Sequence, residues 1–402
     1  MNQPVILSAV RTPIGKFRGG LTNVRPDDMA ALVLRAALER VPESRNAIQE
    51  VCFGATNQAG EDNRNVGRMA ALLADLPFEV TGSTHNRLCG SGMDAIVSVA
   101  RGIRCGDFDL TAAGGIESMT RAPFVMSKAS EGFSRTAPVV FDSTIGWRFS
   151  NPQMAKRIPL ESMGQTAENV AERFTIKREA QDNFAHQSHL RATQAWDKGL
   201  FKNEVIPVPI ITGKKSNTEV LFQKDECIRP NSTVEKLAAL KPVFREGGSV
   251  TAGNSSPLND GAAALVIGSE NWAKKNNIKP LARIVGWAVA GVDPSVMGTG
   301  PIPATRKVLE RTGLSVKDIG LIELNEAFAV QALACITELG LDPNKVNIKG
   351  GAIALGHPIG CSGARIVVTL AHAMQEHDIR YGLATLCVGV GQGMAMILEK
   401  AQ

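Results

Sequence analysis

The sequence predicts a layered α/β protein made of two similar halves, with an irregular segment inserted between them. Three observations carry that expectation. Short apolar runs of β character alternate with longer helical stretches, as packed layers of strands and helices require. A turn–helix–strand unit appears twice with nearly equal spacing. Between the two copies, residues 121–249 break the alternation.

Taken in order, Val5–Val10 reads as a buried strand, and Asp27–Arg40 as a helix with Pro26 and acidic residues at its start, where the helix dipole favours them. Gly92–Ile103 is apolar on almost every face and so is a buried helix. Leu110–Gly114 follows as a central strand. From Arg121 to Ser249 the chain carries Pro138, Pro152, Pro159, Pro207, Pro209, Pro230 and Pro242, and one helix over about Ala167–Lys198. The α/β pattern resumes at Ala262–Ile267. The repeat pairs Cys89-Gly-Ser-Gly, whose strand ends at Gly114 25 residues on, with Cys361-Ser-Gly, which precedes Cys387 at a strand end by 26 residues. One half is therefore expected from 1–120 with 250–270, a loop domain from 121–249, and a second half from 271–402.

Composition narrows the function. A chain of 402 residues is long enough for two or three domains. A formal charge of +5 is too mild for a nucleic-acid protein. Between Lys198 and Arg245, however, nine Lys or Arg face five Asp or Glu, which is either a solvated loop face or an anion-binding surface. The seven Cys show no paired spacing, so neither a disulfide framework nor a metal site is expected, and reduced thiols in a cytoplasmic compartment fit. The chain shows no basic leader, no bilayer-length apolar run and no C-terminal targeting tripeptide, so no membrane attachment is expected.

Four positions carry chemistry. Cys89 sits in Asn86-Arg87-Leu88-Cys89-Gly90-Ser91-Gly92 at a helix start, where free N–H groups are expected to lower its pKa. His357, between Gly356 and Pro358, offers an imidazole on a fixed turn as the base that a thiol nucleophile needs. The other five His (85, 186, 189, 372 and 377) lie on helical or loop stretches and read as structural or solvated. Cys387, in Cys387-Val-Gly389-Val-Gly, ends a strand and reads equally well as core. Asn325, in Asn325-Glu-Ala-Phe328 after a strand over Ile319–Leu324, suits a water or oxyanion ligand but also a helix N-cap.

Together these motifs resemble the thiolase family over essentially the whole chain. Ala9–Gly15, Ala113–Met119, Thr251–Ser256 and Gly356-His-Pro-Ile-Gly360 complete the match. The resemblance implies a five-layer αβαβα thiolase fold of two duplicated halves plus a loop domain, assembled as a homodimer or homotetramer. It implies catalytic roles for Cys89, His357, Cys387, Asn325 and the Gly389 N–H. It also implies coenzyme A contacts at Met163, Arg229, Phe244, Ala252, Ser256 and Phe328. Coenzyme A would be a co-substrate, with no tightly bound cofactor, and the resemblance extends to members that work with a hydratase/dehydrogenase partner subunit. Two positions depart from its pattern: Ser162 stands where some members have His, and Cys361 where many have Ala.

The implied reaction is reversible thiolysis of a 3-ketoacyl-CoA through an acyl-Cys89 intermediate, in an acyltransferase of fatty-acid β-oxidation or aromatic degradation. Gly60–Val66 and Ser143–Phe149 resemble segments of β-ketoadipyl-CoA thiolases, whereas Met163–Ala171 resembles general 3-ketoacyl-CoA thiolases. The alternatives are a biosynthetic acetoacetyl-CoA thiolase, a decarboxylating ketosynthase, which would want a second His at Cys387, and a non-catalytic CoA-binding scaffold.

Overall fold

The computed structural model describes residues 2–212 and 218–401; Lys214 and Lys215, which belong to the basic stretch, lie outside that description. Two matching sets of strands build the molecule. In the first, Glu50–Gly54 lies parallel to Leu110–Ser118 and to the edge strand Thr81–His85; Leu110–Ser118 pairs antiparallel with Asn259–Ser269, and that strand with Pro4–Arg11. The second repeats the pattern: Leu321–Leu324 is parallel to Tyr381–Val388, which pairs antiparallel with Gln392–Lys400, and that strand with Ala282–Gly291. The halves join where Val5 and Ile6 pair with Arg283 and Ala282.

Most of these strands are buried on both faces, which explains their nearly continuous apolar runs. The helices Ser91–Cys105 and Ile359–Glu376 lie between the halves and share one core with strands of both. Pro26–Glu39 and Val66–Leu73 cover the outer face of the first half, while Pro301–Thr312 and Ala329–Leu339 cover the second. The expected five-layer αβαβα fold is what the chain forms.

Three readings need correction. The single helix over 167–198 is two, Met163–Arg173 and Arg178–Asp197, parted at Thr175 in the left-handed region (φ 53°), with Ile176 N–H donating back to the Ala171 carbonyl at 2.9 Å. No Gly or Pro marks that break, so periodicity ran through it. His85 ends the edge strand Thr81–His85 rather than lying on a helix or loop. The register of the repeat also shifts: the central helices start at Ser91 and Ile359, so Cys89 matches His357, and Cys361 lies inside its helix, buried among apolar side chains. By the same register Glu117 and Cys387 are each the penultimate residue of matching strands, facing Gly261 and Gly393 across the antiparallel pair.

Candidate active site

The nucleophile turn is built by its own short polar contacts. Leu88 N–H donates to Asn86 Oδ1 (3.0 Å), Arg87 N–H to Ser91 Oγ (2.9 Å), and Ser91 Oγ–H to the Leu88 carbonyl (2.6 Å). These bonds hold Leu88 at φ 46°, a strained conformation for a residue with a Cβ, and so set the side chain of Cys89. Gly90 and Gly92 are needed for close approach: a Cβ on Gly90 would meet Met394 Sδ at 2.7 Å, and one on Gly92 would meet the Ala364 nitrogen at 2.8 Å.

The expected lowering of the Cys89 pKa is not found. Burial of its sulfur pushes the thiol up to about 11, although the residue as a whole keeps some exposure. The N–H groups of Gly389 and of Cys89 itself pull the other way without prevailing. The physical reason lies in the turn. Gly90 N–H donates to the Arg87 carbonyl and Ser91 N–H to the Leu88 carbonyl, both at 2.9 Å, so these N–H groups at the helix start are already satisfied.

His357 is buried, and its backbone N–H donates to Asn259 Oδ1 at 2.8 Å. Its Nδ1 lies 2.6 Å from Ser362 Oγ, and the Ser362 hydroxyl donates to the Pro358 carbonyl at 2.9 Å. With that hydroxyl proton committed, Ser362 Oγ accepts from Nδ1–H, which makes Nε2 the acceptor nitrogen of the ring. Burial, aided by Arg365, lowers the His357 pKa to about 3. Among the described residues no hydrogen bond joins Cys89 to His357, so the direct thiol–imidazole contact expected from sequence is not made. A neutral thiol and a neutral imidazole gain little from one another, and catalytic hydrogen bonds of this kind often tighten only around substrate.

Asn325 is fully buried after the strand Leu321–Leu324, and its N–H donates to the Thr385 carbonyl at 3.0 Å. Its Nδ2 lies 3.5 Å from both ring nitrogens of His357, while its Oδ1 has no partner among the described residues. Cys387 is fully buried; burial first, then the nearby Cys89 and Cys335, raise its pKa far above the ordinary thiol value. Thus Cys89, Gly389 and Cys387 form one cluster and His357, Asn325 and Ser362 another. Backbone contact between the two central helices holds them against each other.

Of the residues implied as coenzyme A contacts, Met163, Phe244, Ser256 and Phe328 are brought together. Phe244 and Phe328 stack edge to face with centroids 6.3 Å apart, and Ser256 N–H donates to the Ala327 carbonyl at 3.0 Å. Met163 packs beside Cys387, and Ala252 is exposed. Arg229 is exposed, its N–H donates to His189 Nδ1 at 3.2 Å, and among the described residues it forms no ion pair. Ser162 proves to be an N-cap, accepting from Gln165 N–H at 3.3 Å. A cleft of about 540 Å³ elsewhere is lined by Thr22, Arg25, Glu61 and Arg121 and holds no nucleophile–base pair.

Sequence reasoning missed several supports. Glu326 accepts from Ser188 Oγ (2.7 Å), Asn347 Nδ2 (2.8 Å) and Ile353 N–H (3.1 Å), fixing the turn around Asn325. Arg87 reaches Gln392 Oε1 at 3.2 Å and pairs with Asp94. Only their place beside motif residues could have flagged them.

Residues 4–271 match the family model described as "Thiolase, N-terminal domain", and residues 278–400 match "Thiolase, C-terminal domain". The chain is 54% identical over 403 residues, covering all of both chains, to a "3-oxoadipyl-CoA/3-oxo-5,6-dehydrosuberyl-CoA thiolase" of Escherichia coli K12. It is 53% identical, over 98% of each chain, to a "Beta-ketoadipyl-CoA thiolase" of Pseudomonas aeruginosa. The crystal structure of a Bacillus anthracis acetyl-CoA acetyltransferase superposes with a TM-score of 0.93 at 45% identity, covering 100% of this chain and 99% of that one.

Proposed function

Because the chain belongs to the thiolase family, and is therefore an acyltransferase, we propose that it cleaves 3-ketoadipyl-CoA with coenzyme A to give succinyl-CoA and acetyl-CoA. The names of its full-length relatives support the dicarboxylic substrate. The observation that supports the mechanism is the cluster of Cys89, the Gly389 N–H and Cys387, held by the contact of the two central helices against the half that carries an imidazole bonded to Ser362.

In this reading Nε2 of His357 takes the thiol proton as Cys89 attacks the 3-keto carbon. The N–H groups of Cys89 and Gly389 bind the resulting oxyanion. The C2–C3 bond then breaks, leaving a succinyl group on Cys89 and an acetyl-CoA enolate, which Cys387 protonates at C2. The enolate oxygen accepts from the new Nε2–H and from a water held by Asn325, whose orphan Oδ1 is a ready acceptor. The Cys387 thiolate then takes the proton of the coenzyme A thiol as that sulfur attacks the acyl-Cys89 thioester, and Cys89 leaves with the proton held by His357, which releases succinyl-CoA and resets all three groups. Both thiols and the imidazole rest neutral, so charge appears only with substrate in place. Coenzyme A itself is proposed to lie along Met163, Phe244, Ala252, Ser256 and Phe328, with Arg229 toward its phosphates.

We place the enzyme in the cytoplasm as a homodimer or homotetramer, with no tightly bound cofactor. Thr81–His85 is paired on one side only, and Phe124, Met126, Val140, Ile145 and Phe149 are exposed in the insertion. Among the described residues, no helix is long and apolar enough to cross a membrane. The test is thiolysis of 3-ketoadipyl-, 3-ketooctanoyl- and acetoacetyl-CoA. The first should have the highest kcat/KM. A preference for 3-ketooctanoyl-CoA would move the enzyme to fatty-acid β-oxidation, and one for acetoacetyl-CoA to the biosynthetic class.

A further inference from the structure

We propose that Glu117 is a positioning residue whose carboxylate form keeps the nucleophile turn and the histidine turn in mutual register. The inference rests on the reading that Cys89 and His357 form the reacting pair. Glu117 lies in a motif that the mechanism above leaves unused, at the strand position matching Cys387 in the other half. The side chain is buried, and among the described residues no cation pairs with it.

Four donors answer the carboxylate instead. Oε2 accepts from Thr56 Oγ1 (2.6 Å), Thr56 N–H (3.1 Å) and Gly360 N–H (2.8 Å), and Oε1 from Asn57 N–H (3.3 Å). Gly360 is in the first turn of the helix that follows His357, so the positive end of an 18-residue helix faces the charge. Thr56 leads to the other turn, because its carbonyl accepts from Asn86 Nδ2 at 3.0 Å and Asn86 Oδ1 in turn receives Leu88 N–H at 3.0 Å. One carboxylate thus ties the residue before the nucleophile to the helix behind the base.

A proton on Oε2 displaces at least one of its three donors, and a proton on Oε1 removes the charge that strengthens all four bonds. Burial raises the Glu117 pKa to about 7 against the pull of the Thr56 and Gly360 donors, with Asp62 adding to the rise. The titratable groups around it are Asp62 in the loop after Glu50–Gly54, Cys89 in the nucleophile turn and Cys361 on the central helix. Cys89 lies near 11, Cys361 near 12 and His357 near 3, so the two buried carboxyls, Glu117 at about 7 and Asp62 at about 6, are the groups of this set that titrate close to neutrality, and an Asp62→Asn variant separates them.

The test is single-turnover acylation of Cys89 by the fastest acyl donor of the substrate panel, from pH 5.5 to 9, with KM for coenzyme A measured alongside. Wild-type acylation should fall as pH drops through about 7. Glu117→Gln should lose roughly 10–100-fold in acylation with KM for coenzyme A within about twofold, and should lose that acid limb. Thr56→Val removes one donor from the charged form, so its limb should move to higher pH by about one unit or more. Asp62→Asn should keep the limb and shift it slightly down. A wild-type profile flat through pH 7, a Glu117→Gln variant that keeps the limb, or coincident limbs in wild type and Thr56→Val would each overturn the proposal. If Glu117→Gln does not fold, the Thr56→Val limb still decides. Full activity of Cys89→Ala would instead sink the catalytic reading on which the proposal stands.

Discussion

The two halves of the chain use one scaffold for opposite chemistry. Each has a central helix, and the residue two positions before its first turn faces the site: Cys89 in one half, His357 in the other. Each has a strand whose penultimate residue is a buried acid, Glu117 in one and Cys387 in the other. In the proposed mechanism the first half supplies a nucleophile and a buried carboxyl, and the second a base and a proton donor. Neither half holds a complete set. Duplication gave two equivalent positions, and the chemistry comes from having made them different.

That contrast can be broken or sharpened. The largest effect should come from Cys89→Ala, which removes the covalent route and should cut thiolysis at least about 10⁴-fold. Measurable turnover above that floor would mean that the first half does not provide the nucleophile. Next, Asn325→Ala should cost roughly 10²–10³ in kcat, the scale of one oxyanion donor; near wild-type kcat would remove the second half's claim on the enolate. Ser362→Ala frees the other imidazole tautomer and should lower kcat about tenfold while leaving KM for coenzyme A alone. A variant whose losses lay in KM would show that Ser362 shapes binding rather than the base.

The resting thiol gives a smaller and purely pH-linked contrast. With the Cys89 pKa raised to about 11, the thiolate fraction grows about tenfold per pH unit below that value. Iodoacetamide labelling should therefore climb steadily from pH 6 to 9; a plateau near neutrality would mean a thiolate–imidazolium pair at rest. The mildest effect is salt. If Arg229 meets phosphate, KM for coenzyme A should rise severalfold between low and physiological ionic strength, and Arg229→Ala should flatten that rise.

Much of this was readable in the chain before its fold was known. Cys89, His357, Cys387 and Asn325 each sit in a short, unusual Gly-rich or strand-end motif, and the alternation of strand and helix announced the layers. What sequence concealed was tertiary. Ser362 and Asn259 are ordinary polar residues until His357 is placed between them. Glu117 looks like one more strand residue until Gly360 arrives from 243 positions away. The sign of the Cys89 pKa shift was missed because burial of the sulfur, which no local motif reveals, outweighs the N–H groups of a helix start, two of which turn carbonyls already occupy. The break at Thr175 lacks any Gly or Pro to announce it.

Gly92 has a consequence for how such an enzyme can change. A single methyl there would push on the backbone of the opposing helix, at the Ala364 nitrogen and the Gly360 oxygen 2.9 Å away. That helix follows directly on the histidine turn, so the added atom would act as a spacer between that turn and the one that holds Cys89. Side chains of the exposed insertion have room to change, but the spacing of the two turns is set by an atom that is missing.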